Sequence, residues 1–75
     1  MDENENNEDA IETLEGRVIE ALPSTLFRVE SPQGKVIISY LGGRMRVHKI
    51  KVLVGDKVLV QVDPYGGKGR IIKRL

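Results

Sequence analysis

The sequence predicts an all-β domain: a small closed barrel of five strands, with a short helix between the third and fourth. Three observations lead there. After residue 13 the chain is a succession of short apolar segments, each ended by Gly, Pro, Ser or Asp. Only the stretch after Gly42-Gly43 departs from the strand pattern. And 75 residues suffice for one domain with a thin core, burying about 60% of its unfolded surface; closure spares such a chain the open strand edges that invite association.

The elements follow in order. "LEGRVIEAL" (14–22) is apolar, with Gly16 early and Val18 and Ile19 adjacent, so a bent or bulged strand is expected. "PST" (23–25) is turn chemistry, since Pro fixes φ and Ser bonds its own backbone. "LFRVE" (26–30) alternates, Phe27 and Val29 facing one way and Arg28 and Glu30 the other. "SPQG" (31–34) turns the chain into "KVIISYL" (35–41), where Val36, Ile38 and Tyr40 share a face opposite Ile37, Ser39 and Leu41. In "RMRVHKIKV" the apolar positions 45, 47, 50 and 52 fit neither period cleanly, and Met45 to Ile50 with Leu53 are expected to line a turn or two of helix. After the Gly55-Asp56 turn, "KVLVQVD" (57–63) is a strand with Val58, Val60 and Val62 inward. "PYGGKG" (64–69) is a loop, and "RIIKRL" (70–75) the last strand. This order is that of the five-stranded Greek-key OB-fold, the oligonucleotide-binding barrel, whose helix lies between strands three and four. An SH3-like barrel also has five strands, but with tighter hairpins and no insertion at that place.

Charge is divided along the chain. Residues 1–15 hold seven acids and no Lys or Arg. Residues 16–75 hold 12 Lys and Arg against Glu20, Glu30, Asp56 and Asp63, a net of +8. Such a body attracts polyanions, nucleic acid above all. "MDENENNEDAIE" (1–12) is too poor in apolar residues to offset its ordering entropy, so it is expected to be a flexible, disordered acidic tail, with the RNA-binding domain over 13–75.

Several function classes recede. With no Cys and a single His, no Cys-based or His-rich metal site is expected, and no cofactor. Apolar runs such as "VLV" (52–54) fall far short of the roughly 20 residues that cross a bilayer. The acidic start is unlike a secretory or transit segment, and together with the lack of Cys it suits the cytoplasm. His48 has no evident nucleophile and orienting partner, and Ser24, Ser31 and Ser39 are explained by turns and a strand, so no catalytic residue is expected.

Two segments carry the candidate contacts. "GGRMRVHKIK" (42–51) supplies Gly43, Arg44, Met45, Arg46, His48, Lys49 and Lys51. Arginine engages phosphate oxygens in a planar fork or stacks on a base, and the polarizable Met45 suits packing beneath a flat ring. "PYGGKGR" (64–70) adds Tyr65, Lys68 and Arg70, and the final strand adds Lys73 and Arg74. It is no P-loop, since Gly69 follows Lys68 where Ser or Thr is required. Arg28 and Tyr40 are candidates on strands two and three, the face such barrels use. Aromatic faces stack on bases, each worth about 1–3 kcal/mol.

"GRVIEALPSTLFRVE" (16–30), "LGGRMR" (41–46), "VGDKVLVQVDPY" (54–65) and "KGRI" (68–71) together resemble the bacterial translation initiation factor one family, S1-like oligonucleotide-binding barrels. The resemblance spans nearly all of 14–74, in order. It implies a monomeric, non-enzymatic factor at the decoding (aminoacyl) site of the small (30S) ribosomal subunit, touching 16S rRNA and a ribosomal protein that lines the site. It implies work beside the other two initiation factors, excluding elongator tRNA and supporting initiator selection, with adenines of the decoding helix flipped out and held by basic loops. By motif the contacts fall on Gly43, Arg44, Met45, Arg46, Lys51, Lys68 and Arg70, and on Arg28. The chain departs from the family's usual reading at Val47-His48-Lys49, where a common aromatic is missing, and its loop before "KGRI" is one residue shorter than is common. Read without the resemblance, the residues also allow a general single-stranded RNA binder or RNA chaperone of cold-shock type, or a protein-interaction module.

Overall fold

The structure, a computed structural model, describes residues 12–75. Its elements are β1 (Glu12–Leu22), β2 (Leu26–Glu30), β3 (Val36–Leu41), α1 (Gly43–Val47), β4 (Lys57–Val62) and β5 (Gly69–Arg74). The expected tail over 1–12 lies outside the described residues except for Glu12, where β1 begins.

The strands close into a barrel in the order β1-β2-β3-β5-β4. Every pairing is antiparallel except β3 with β5, which run parallel over Ser39–Leu41 and Gly69–Ile71. That order, with α1 leaving β3 toward β4, is the expected Greek-key OB-fold. β1 is long enough to serve two neighbours: its first half pairs with β4 and its second with β2. The change of partner occurs at the irregular apolar pair, where the β1–β2 register shifts between Val18 and Glu20. Val18 thereby stays inside while Ile19 is exposed. This is the bulge that the adjacent Val18 and Ile19 foretold.

The core is Val18, Phe27, Val29, Met45, Val52, Val58, Val60 and Ile71, with Leu14, Leu41, Ile50 and Val62 packed against it. Two glycines allow walls to meet within it. A Cβ on Gly16 would stand 2.6 Å from Val29 Cγ1, and one on Gly69 would stand 2.6 Å from Val60 Cγ1 and 2.8 Å from Ser39 Oγ. No side chain fits at either point.

On β3 the inward face is Ile37 and Ser39, and Val36, 42% exposed, lies on the opposite face, as the expected alternation sets them. Ser39 is buried because it lies against Gly69, where space admits only a small side chain; its hydroxyl donates to the Ile37 carbonyl at 3.4 Å. The helix starts earlier than expected and is a single turn, ended where Lys49 takes φ 53. Leu53 lies outside it, 56% exposed, in a turn where its N–H donates to Asp56 Oδ2 at 2.8 Å.

Candidate nucleic-acid interface

Register decides which side chains meet on the outside of the barrel. Across β3, β5 and β4, Tyr40 pairs with Arg70 and Arg70 with Gln61. Paired residues share a face, and since Ser39, Gly69, Ile71 and Val60 point inward, these three form a row on the outer surface. Arg70 is its centre. The guanidinium carbon lies 6.0 Å from the Tyr40 ring centroid, and Nε donates to the Tyr40 hydroxyl at 3.4 Å. Both contacts are long, so they orient Arg70 more than they hold it. The hydrogen bond engages Nε alone and leaves the terminal amino groups of the fork outside it.

Two shallow hollows flank this row and share Arg70 and Gln61. One, of about 230 Å³, is lined by Gly42, Gly43, Arg44, Met45 and Ile72 as well. The other, of about 190 Å³, adds Tyr40, Val62, Asp63 and Lys68. The helix start and the β4–β5 turn, about 20 residues apart in sequence, are thus joined into one cationic surface by β5. Gly42 fixes the junction: its N–H donates to the Ile71 carbonyl at 2.8 Å, and its own carbonyl accepts from Arg46 N–H at 3.2 Å.

The other sequence-predicted residues spread around this centre. Arg46, His48 and Lys49 are exposed on and just after α1. Lys51 is exposed, and its carbonyl accepts from the Arg74 guanidinium at 2.9 Å, tying the loop after α1 to the end of β5. Lys73 is exposed on β5, paired with Leu59. Tyr65 is 92% exposed at the tip of the β4–β5 turn, where its N–H donates to Asp63 Oδ1 at 2.9 Å. Arg28 lies apart from the centre and donates to Glu20 at 2.9 Å. That is the one ion pair among the described residues, so no other Lys or Arg has a close acid partner among them.

Met45 is a correction. It is 1% exposed and packs in the core, so it is an anchor beneath α1 and no surface for a base. Arg44 and Arg46, to either side of it, are exposed. Gln61 and Ile72 line the hollows and were missed, because a neutral amide and an apolar residue in strands carry no local signal. Arg17 is an exposed residue whose guanidinium donates to the Gly55 carbonyl at 3.0 Å, in keeping with an ordinary surface role. A separate hollow of about 410 Å³ sets Glu15 and Glu30 against Arg17 and Lys57, so its charges offset and it has no pull on a polyanion.

Barrel topology and an outward cationic surface on β3, β5 and α1 define the class: a small OB-fold protein built to meet nucleic acid. The family model for translation initiation factor 1A / IF-1 matches residues 3–75, and the chain belongs to that family. Among solved structures it is similar to the bacterial translation initiation factor one from the Wolbachia endosymbiont strain TRS of Brugia malayi, at 39% identity and a TM-score of 0.76, covering 88% of this chain and 79% of that one. It is also similar to YjeQ from Thermotoga maritima (29% identity, TM-score 0.71) and to YloQ, a circularly permuted GTPase (31%, 0.74). Each of those matches covers 85% of this chain but 23% of the other, so what is shared there is a barrel within a longer protein.

Proposed function

We propose that this chain binds the decoding (aminoacyl) site of the small ribosomal subunit through 16S rRNA during initiation in the cytoplasm. There it blocks premature entry of elongator tRNA and supports initiator selection with the other two initiation factors. The mechanism is occupancy: a rigid barrel fills the site as a monomer, and no covalent bond is made or broken.

The observation that carries this reading is the joining of α1 and the β4–β5 turn through Arg70. A folded RNA site presents phosphates from several strands at once, and a surface with cations on a helix, a strand and a turn is suited to engage them together. Gly43, Arg44, Lys68, Arg70 and Tyr40 form the centre of the contact. Arg46, His48, Lys49, Lys51, Tyr65, Lys73 and Arg74 extend it, and Arg28 joins on exchanging Glu20 for phosphate. A neighbouring ribosomal protein lining the site is the protein partner. Against the cold-shock alternative, Phe27 is in the core and Tyr40 is the one aromatic on the strand face, too few for a stacking platform.

Chemical probing of 30S particles tests the proposal. With the protein at saturation, changed reactivity should be confined to the decoding region, and dissociation should quicken with salt. Binding that falls with a slope of about −0.7 to −0.9 per phosphate contact is expected on a log–log plot against salt. Unaltered probing at saturation refutes it.

A further inference from the structure

Strict alternation along β5 would set Arg74 on the same side as Arg70, out on the cationic surface. The register does otherwise. The β4–β5 pairing shifts between Leu59 and Val60, so Arg70 lies opposite Gln61 while Arg74 lies opposite Val58. Gln61 belongs to the outer row, whereas Val58 is wholly buried in the core. Paired residues share a face, so the irregularity turns Arg74 away from the face of Arg70. At the exposed end of the strand its guanidinium meets the loop after α1 and donates to the Lys51 carbonyl at 2.9 Å.

Lys51 stands between two residues directed at the core. Ile50 packs against it and Val52 is buried within it, so the exposed Lys51 side chain is turned outward. On the α1 side the loop is fastened by the Ile50 N–H, which donates to the Met45 carbonyl at 2.9 Å. On the β4 side it is fastened by the Leu53 N–H on Asp56 Oδ2 at 2.8 Å. Arg74 closes the interval between these two points.

We propose that Arg74 is a positioning residue: it holds the backbone from which Lys51 presents its ammonium to RNA phosphate, and makes no phosphate contact of its own. A guanidinium donating to a carbonyl is engaged in a charge-assisted bond, and here it leaves β5 on the side away from Arg70. Lysine is a point charge on a flexible four-carbon stem, and fixing the base of that stem lowers the ordering cost of binding. Arg74 thus extends the contact surface through Lys51. The inference rests on reading Lys51 as a phosphate contact at the edge of the cationic surface, and not on which RNA that surface finally meets.

In the free protein, Arg74→Ala should shift the amide resonance of Val52, which shares a peptide group with the Lys51 carbonyl, and leave that of Tyr65 in place. Oligouridylate affinity at low salt then separates positioning from contact. Lys51→Ala and Arg74→Ala should each weaken binding several-fold. The double variant should lose no more than about two-fold beyond the larger single loss, because coupled sites are non-additive. Its salt slope should fall by about 0.7, the value of one phosphate contact on a single strand. A mere loss of stability would move neither the coupling nor the slope. Single losses that multiply in the double variant, with a slope lower by about 1.4, overturn the proposal. So does a Val52 amide unmoved by Arg74→Ala, or an Arg74→Ala protein that binds like the parent. Neither measurement uses ribosomes, so its failure leaves decoding-site binding standing, and a failed footprint leaves this proposal standing.

Discussion

Met45→Ala should lower stability sharply and weaken RNA binding only as a consequence. Met45 is 1% exposed and is the one buried side chain of the five-residue α1. Truncation removes Cγ, Sδ and Cε from contact with the core, about 2 kcal/mol at ~0.8 kcal/mol per methylene-sized group. A cavity term raises the loss to about 3 kcal/mol, within the range for such truncations. For a domain this small that corresponds to a fall of about 12–24 °C in melting temperature. Met45→Leu conserves volume and should cost less than about 1.5 kcal/mol. The assay is thermal unfolding by circular dichroism, paired with 30S binding well below each variant's transition. A Met45→Ala protein with the parent's melting temperature but impaired binding would refute the reasoning, because it would put Met45 on the surface as a contact.

Arg44→Ala with Arg46→Ala should leave the melting temperature nearly unchanged, weaken 30S binding strongly, and reduce the salt slope by about 1.5; titration at three salt concentrations checks it. Gly69→Ala forces a Cβ to within 2.6 Å of Val60 Cγ1 and should destabilise the barrel by about 1–3 kcal/mol, read by denaturant unfolding. Glu20→Gln removes the partner of Arg28 in an exposed pair, so stability should change by about 0–1 kcal/mol, while 30S binding tightens if Arg28 reaches phosphate.

The strands that alternate were readable from local pattern. Phe27 and Val29 turned inward on β2, Val58 and Val60 on β4, and the Val18-Ile19 irregularity was a bulge. β3 was harder, because "VIISYL" is apolar on both faces and its buried position Ser39 is the polar one. Only knowledge that Gly69 would lie against Ser39 decides the matter, and that contact joins residues 30 apart in the chain. The same holds for the site. The basic residues of "GGRMRVHKIK" and "PYGGKGR" announce a cationic surface, but the row from Tyr40 through Arg70 to Gln61 depends on registers with both neighbouring strands. Met45 was ambiguous for another reason: a thioether suits a core and a base-stacking surface alike, and only the direction of the first turn of α1 separates them.

The parallel pairing of β3 with β5 extends over three residue pairs only, yet β5 stands between β3 and β4 in the closed order. Removing that one strand would bare two unsatisfied backbone edges at once. A chain shortened before Gly69, by a premature stop or by cleavage in the exposed turn at Tyr65, would therefore be left as an open, sticky four-strand remnant inclined to join its own kind. Quality control of this small protein then hinges on its last few residues.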